Sequence, residues 1–187
     1  MTNKASELLH AIYGMDIYAD FSPLLPLDLQ GWNSEHITFR DIIANDHPSI
    51  VFDVGVWKGG STIFLANLLR ENGVDGAVIA VDTFLGSPEH WDSDGLGHLV
   101  LRRHGRLLLY EQFLSNVVYT GTQDLIVPLA QTSESAAAIL SRLQVCAGLI
   151  HIDAAHDYES VFRDARNYWE LLQRGGYLVG VRKTPPD

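Results

Sequence analysis

The chain has 187 residues, 47% of them apolar, and carries 13 basic against 23 acidic side chains, a formal charge of −10. That length suits one domain with a sizeable core, and the negative surface excludes a protein built to grip nucleic acid or anionic membranes. Cys146 is the only cysteine, no apolar run reaches the ~20 residues of a bilayer span, and Met1 to His10 lack the apolar stretch of a secretion signal, so a cytoplasmic setting is expected. Residues 4–13 read as a short helix with Leu8, Leu9 and Ile12 on one face. From Gly14 to Asn33, two prolines among apolar residues predict a packed N-terminal arm, followed by a helix over 35–45. The expected division is an arm over 1–34 and a domain over 35–187.

From residue 50 strand and helix patterns alternate. Ile50-Val51-Phe52-Asp53-Val54 reads as a strand buried on both faces. A helix over 60–71 follows, with Ser61 or Thr62 near its start and Gly73 past its end. Ala77 to Asp82 is a second strand, Thr83 to Gly97 an irregular insert, and 98–116 reads as helix. The Arg102-Arg103-His104-Gly105-Arg106 run then reads as a solvated helix face, with a phosphate or carboxylate contact as the alternative. A third strand covers 125–129, where Pro128 favours an edge, and a small helix covers 134–143. The fourth strand runs from Ala147 to Asp153. A helix over 157–173 places Tyr158, Val161, Phe162, Ala165, Trp169 and Leu172 on one face, read as the buried one. Gly175-Gly176 closes it, and the fifth strand is Tyr177 to Val181.

Strands alternating with helices imply a doubly wound parallel sheet with right-handed crossovers, in which ligands bind beyond the carboxyl ends of the strands. Asp53, Asp82 and Asp153 all stand at such ends. Between the first strand and its helix lies Asp53-Val-Gly55-Val-Trp57-Lys-Gly59-Gly60-Ser61. Gly55 permits a sharp turn, and Gly59 with Gly60 lets backbone approach a ligand. A dinucleotide loop needs glycine where Trp57 stands, and a P-loop needs its lysine after the glycines, whereas Lys58 precedes them. The loop therefore suits a ligand without phosphates. S-adenosylmethionine (SAM), cationic and bearing two ribose hydroxyls, is one.

Asp53-x-Gly55-x-x-x-Gly59-x-Ser61 resembles motif I of class I SAM-dependent methyltransferases, and Asp82 resembles their ribose-binding acid. With Ile152-Asp153-Ala-Ala-His156-Asp-Tyr158-Glu159, the likeness narrows to the small-molecule group that includes macrolide-sugar O-methyltransferases and cephalosporin-hydroxylase-type proteins, over roughly 35–180. The resemblance implies a Rossmann-like methyltransferase fold with SAM as cofactor. Asp53, Gly55, Gly59 and Ser61 would line its methionine end and Asp82 its ribose. Thr83 and Phe84 would flank the adenine, Phe84 being equally a candidate for the core, with Gln131-Thr132-Ser133 either at the adenine edge or capping a helix.

Methyl transfer needs alignment of donor and acceptor and removal of a hydroxyl proton. His156, with Asp153 three residues before it, is the expected base, since imidazole titrates near neutrality. The related acidic pattern after the fourth strand is replaced by Ala154 and Ala155, and Val181-Arg182 stands where an acidic pair would follow the fifth. No metal is expected on that basis. Relatives add two further strands, so the fifth strand would be an open edge, covered by the arm or by a partner subunit. The reading is a SAM-dependent O-methyltransferase acting on a hydroxyl of a small polar molecule, a sugar or natural product, in a homodimer or larger homo-oligomer. The alternative is a catalytically impaired SAM-binding or structural protein with a shortened fold.

Overall fold

The computed structural model describes residues 3–32, 34–92, 94–154 and 157–180. Its centre is a five-stranded sheet in the order β5-β2-β1-β6-β7, built from β1 (Ile50–Val54), β2 (Ala77–Asp82), β5 (Ile126–Ala130), β6 (Ala147–Ile152) and β7 (Leu172–Gly180). Every pairing is parallel. The helices α1 (Lys4–Tyr13), α2 (Ile37–Asp46), α3 (Gly60–Glu71), α4 (Leu109–Tyr119), α5 (Ser133–Arg142) and α6 (Tyr158–Trp169) flank it. This is the doubly wound Rossmann-like architecture expected from the alternation. β1 is buried at all five positions, as a central strand covered by helices on both faces must be. The strand order reverses at β1, so β1 and its neighbour β6 open the crevice where ligands bind.

Pro128 lies on β5, an outermost strand, where its missing N–H costs no ladder bond. α1 guards that side. Tyr13 Oη donates to the Pro128 carbonyl at 2.6 Å and Asn3 Nδ2 to the Asp124 carbonyl at 2.7 Å. The arm after α1 folds back within its own chain, onto α4. Leu24 and Leu25 amides donate to Ser115 Oγ, and Asn116 both accepts from the Asp28 amide and donates to its carbonyl. It does not lie along β7. Among the described residues nothing pairs with the outer side of that strand.

Two elements depart from the sequence reading. The region read as helix over 98–116 is a 3₁₀ turn (Leu96–Leu99), then an antiparallel hairpin of β3 (Arg102–Arg103) and β4 (Arg106–Leu107), and only then α4. The hairpin turn is His104-Gly105 with φ of 51° and 77°, the paired left-handed geometry that a two-residue turn requires and a helix cannot hold.

The second departure is α6, which ends at Trp169 rather than 173, while β7 begins at Leu172 and carries the Gly175-Gly176 pair through an irregularity in its register. The stripe expected to be buried faces outward. Tyr158 is 82% exposed, Phe162 60% and Trp169 63%, whereas Asp164 and Tyr168 form the inner face. Tyr168 is wholly buried, packs edge-on to Phe52 and donates through Oη to the Ser133 carbonyl. Periodicity revealed an apolar stripe; a large ring on the opposite face decided which side turned in.

Candidate active site

The glycine loop leaves β1 between β2 and β6. Gly55 has φ of +88°, and a Cβ there would collide with the backbone carbonyl of Asp153 at the end of β6. Its amide donates to the Val81 carbonyl at 2.8 Å, and the Asp153 amide donates to the Val54 carbonyl at 2.8 Å. The loop is thus pinned from both sides by main chain. Gly59, at φ +91°, stands where a Cβ would press on the Phe113 ring of α4.

Asp53, the acid that opens the loop, is fully buried and turned inward. Its Oδ2 accepts from Ser61 Oγ at 2.8 Å and Thr62 Oγ1 at 2.6 Å, which ties the start of α3 to β1. Its Oδ1 lies 2.7 Å from Nδ1 of His151, its register partner on β6. Burial pulls the His151 pKa down, but the hydrogen bond it donates to Asp53 and the charges of Asp53 and Asp153 outweigh it and hold it above the ordinary 6.5. Asp53 and Ser61 therefore order the loop from beneath. His151 escaped the sequence reading; the signal was a lone polar residue inside an apolar strand.

Asp82 faces the other way. Its Oδ2 accepts the Trp57 amide at 3.0 Å and its Oδ1 the Phe84 amide at 2.8 Å. The Val56 amide is a third donor to this carboxylate, which leaves acceptor capacity for a ligand. Burial pushes this carboxyl up, against the pull of those amides. It lines a cleft of about 360 Å³ together with Val54, Gly55, Thr83, Thr132, Ser133 and Ala154, all at strand carboxyl ends or the first residues beyond. Gln131, Glu134, Ser160, Arg163 and Asp164 close the far wall.

Thr132 also caps α5 by accepting the Ser135 amide, so the capping and lining readings of that segment coexist. Phe84 is core, 4% exposed and packed on Tyr110 and Phe113. Asp153 is half-buried at the mouth of β6. His156 lies outside the described residues.

Above the loop, Trp57 adopts φ of +53° and sends its indole N–H to the Gln30 carbonyl at 2.9 Å. Its ring stacks on His90 at 4.3 Å. His90 is 7% exposed, and its Nδ1 accepts the Ser87 amide at 3.0 Å, which places the proton of the neutral ring on Nε2. That Nε2 is buried with no partner among the described residues. Beside Trp57, Lys58 is buried against Asp28 at 2.6 Å, so the arm clamps the loop through an ion pair.

A parallel sheet that reverses at a glycine loop, with a carboxylate closing the next strand and a cleft between them, defines a Rossmann-like cofactor-binding domain. The chain belongs to the methyltransferase domain family, whose model matches residues 52–180. No curated protein matches it. Among solved structures it is similar to the O-methyltransferase from Bacillus cereus in complex with S-adenosylhomocysteine (SAH), at 13% identity and a TM-score of 0.56, over 96% of this chain and 72% of that one. It is similar to the O-methyltransferase TomG from Streptomyces achromogenes, involved in tomaymycin synthesis and solved with SAM, at 14% identity and a TM-score of 0.53, over 95% and 62%. The SAH-bound Podospora anserina methyltransferase PaMTH1 matches at 14% identity and a TM-score of 0.52, over 76% of this chain and 50% of that one. The chain thus spans half to about three quarters of the length of these structures.

Proposed function

We propose that the domain over 35–187 binds SAM in the cleft at the strand ends and transfers its methyl group to a hydroxyl of a small polar molecule, a sugar or natural product, with the arm over 1–34 clamping the loop. The observation that carries this reading is Asp82, a carboxylate lining a cleft of about 360 Å³, a size within the range of small-molecule sites. The donor set fits. A carboxylate accepts the vicinal ribose hydroxyls, Thr83 and Gln131 offer polar edges for an adenine, and the pinned Gly55 turn leaves room for the methionine end. SAM supplies a methyl carbon already activated by its sulfonium, so the protein has to align the acceptor and take its proton.

His156 is proposed as the base that takes that proton, with Asp153, at the mouth of β6, closer to the sheet and the sulfonium. Asp53 and Ser61 serve the cofactor by fixing Gly55 to Gly59. Isothermal titration with SAH tests the cofactor assignment directly, and the absence of binding refutes it. Once an acceptor is in hand, His156→Ala is expected to lower turnover by about 10²–10⁴-fold with SAH affinity unchanged, the usual contribution of positioned proton transfer. Full turnover retained across pH 6–9 would remove the base assignment.

A reducing, cytoplasmic setting fits the single exposed Cys146, and among the described residues no helix is long and apolar enough to cross a membrane. A homodimer joined through α6 and β7 is proposed from the outward apolar stripe of α6 beside the open strand.

A further inference from the structure

A second cavity, about 430 Å³, is away from the cofactor cleft, between the arm and the β3–β4 hairpin. Leu24 and Leu25 form one wall, Leu108 the base, and Arg103, His104, Arg106 and Glu111 the rest. A chain of net charge −10 has here gathered three of its thirteen basic residues, Arg102, Arg103 and Arg106, on a hairpin of six. Their roles divide. Arg102 is structural, donating to the Gly97 carbonyl at 3.0 Å and to the His90 carbonyl, with its guanidinium over Trp91. That anchor and the tight His104-Gly105 turn hold Arg103 and Arg106 at the cavity.

Arg106 reaches Glu111 Oε1 at 3.4 Å, a long and exposed contact. The Arg103 guanidinium has no ion pair or hydrogen bond among the described residues, its backbone alone being paired with Arg106. Glu111 Oε2 is buried with no hydrogen-bond partner among the described residues, so one acceptor in the lining waits for an O–H or N–H.

The cavity sits on the working side of the sheet. α4 leads from the carboxyl end of β2 to the amino end of β5, so its first turn lies at the face where the strands end. Further along the same helix, Asn116 donates to the Lys58 carbonyl at 2.8 Å and Phe113 abuts Gly59. At 1.5 Å per residue, Glu111 is about 8 Å along the helix from that contact with the loop.

We infer that this cavity binds a small hydroxylated organic anion: its carboxylate or phosphate meets Arg103 and Arg106, its apolar body lies on Leu24, Leu25 and Leu108, and its hydroxyl donates to Glu111. Guanidinium forks match both oxyanions, and apolar walls with a few placed polar groups are what small-molecule sites use. The binding stands apart from the proposed methyl transfer, because the cavity shares no lining residue with the cofactor cleft.

The test is titration of the full chain with mandelate, its neutral amide mandelamide, phenylacetate and phenyl phosphate. Mandelate is expected to bind at least about tenfold more tightly than mandelamide, the scale of one charge-assisted contact, and phenylacetate to fall between them. Whichever of mandelate and phenyl phosphate binds more tightly identifies the preferred oxyanion. The double variant Arg103→Ala/Arg106→Ala, both on the exposed hairpin, is expected to lose this selectivity while SAH affinity stays unchanged. Mandelamide binding as well as mandelate, or selectivity surviving the double variant, overturns the site. Equal affinity for mandelate and phenylacetate removes Glu111 from it. SAH binding without mandelate binding sinks this inference alone, and arginine-dependent mandelate binding without SAH binding sinks the methyl-transfer reading alone.

Discussion

Asp53 and Asp82 close adjacent strands two positions apart in the ladder, yet one turns into the core and the other toward the cleft. The sequence marks both as acids at strand ends; only the fold separates them, because His151, Ser61 and Thr62 converge on Asp53. Asp82→Ala is accordingly expected to weaken SAH binding by about 1.5–3 kcal/mol, the range for hydrogen bonds to a charged group. Unchanged affinity in titration would remove the ribose assignment. Gly55→Val should abolish SAH binding, since a β-branched side chain is strained at φ +88° and meets the Asp153 carbonyl. A variant that keeps its circular dichroism and still binds would show that this loop is not the cofactor loop.

The His151–Asp53 pair also makes a pH prediction. A histidine whose pKa is raised by folding adds stability that is fully present below its unfolded value near 6.5 and is lost as pH climbs through the higher folded value. Urea midpoints should therefore fall from pH 6 to pH 9 more steeply for the natural protein than for Asp53→Asn/His151→Gln. Equal slopes would show that the pair does not titrate in this way.

At the scale of elements, the alternation of strand and helix was legible because central strands buried on both faces leave continuous apolar runs, as in β1 and β2. Two failures have separate causes. The β3–β4 hairpin is too short for a period-two pattern, and its turn uses His104 in a conformation that no composition rule flags. α6 has the period of an amphipathic helix, but its stripe points outward because Tyr168 and Asp164 occupy the inner side, with Asp164 bonded to Ser133 at 2.5 Å. Exposed apolar stripes of this kind mark contact surfaces. Phe162→Glu with Trp169→Glu is expected to leave SAH binding unchanged and to convert the proposed dimer to a monomer in sedimentation. A natural protein that is already monomeric at high micromolar concentration refutes the assembly.

At the scale of the molecule, the strand-end location of the proposed site is what the topology of a doubly wound sheet leads one to expect, and of the three aspartates at strand ends Asp82 lines the cleft there. The second cavity was illegible because its walls come from distant stretches, the arm at Leu24 and the hairpin at Arg103, brought together by α4. The run of arginines was visible, but read as helix it had no hollow to face.

The sheet's two margins are unequal. α1 and Pro128 block β5, while β7 offers its outer backbone unpaired among the described residues. Such a sheet has a valence of one. Copies that join margin to margin can do so only β7 to β7, about a twofold axis, and the joined object then presents a blocked β5 at each end. In the proposed dimer, growth through these margins would stop at two.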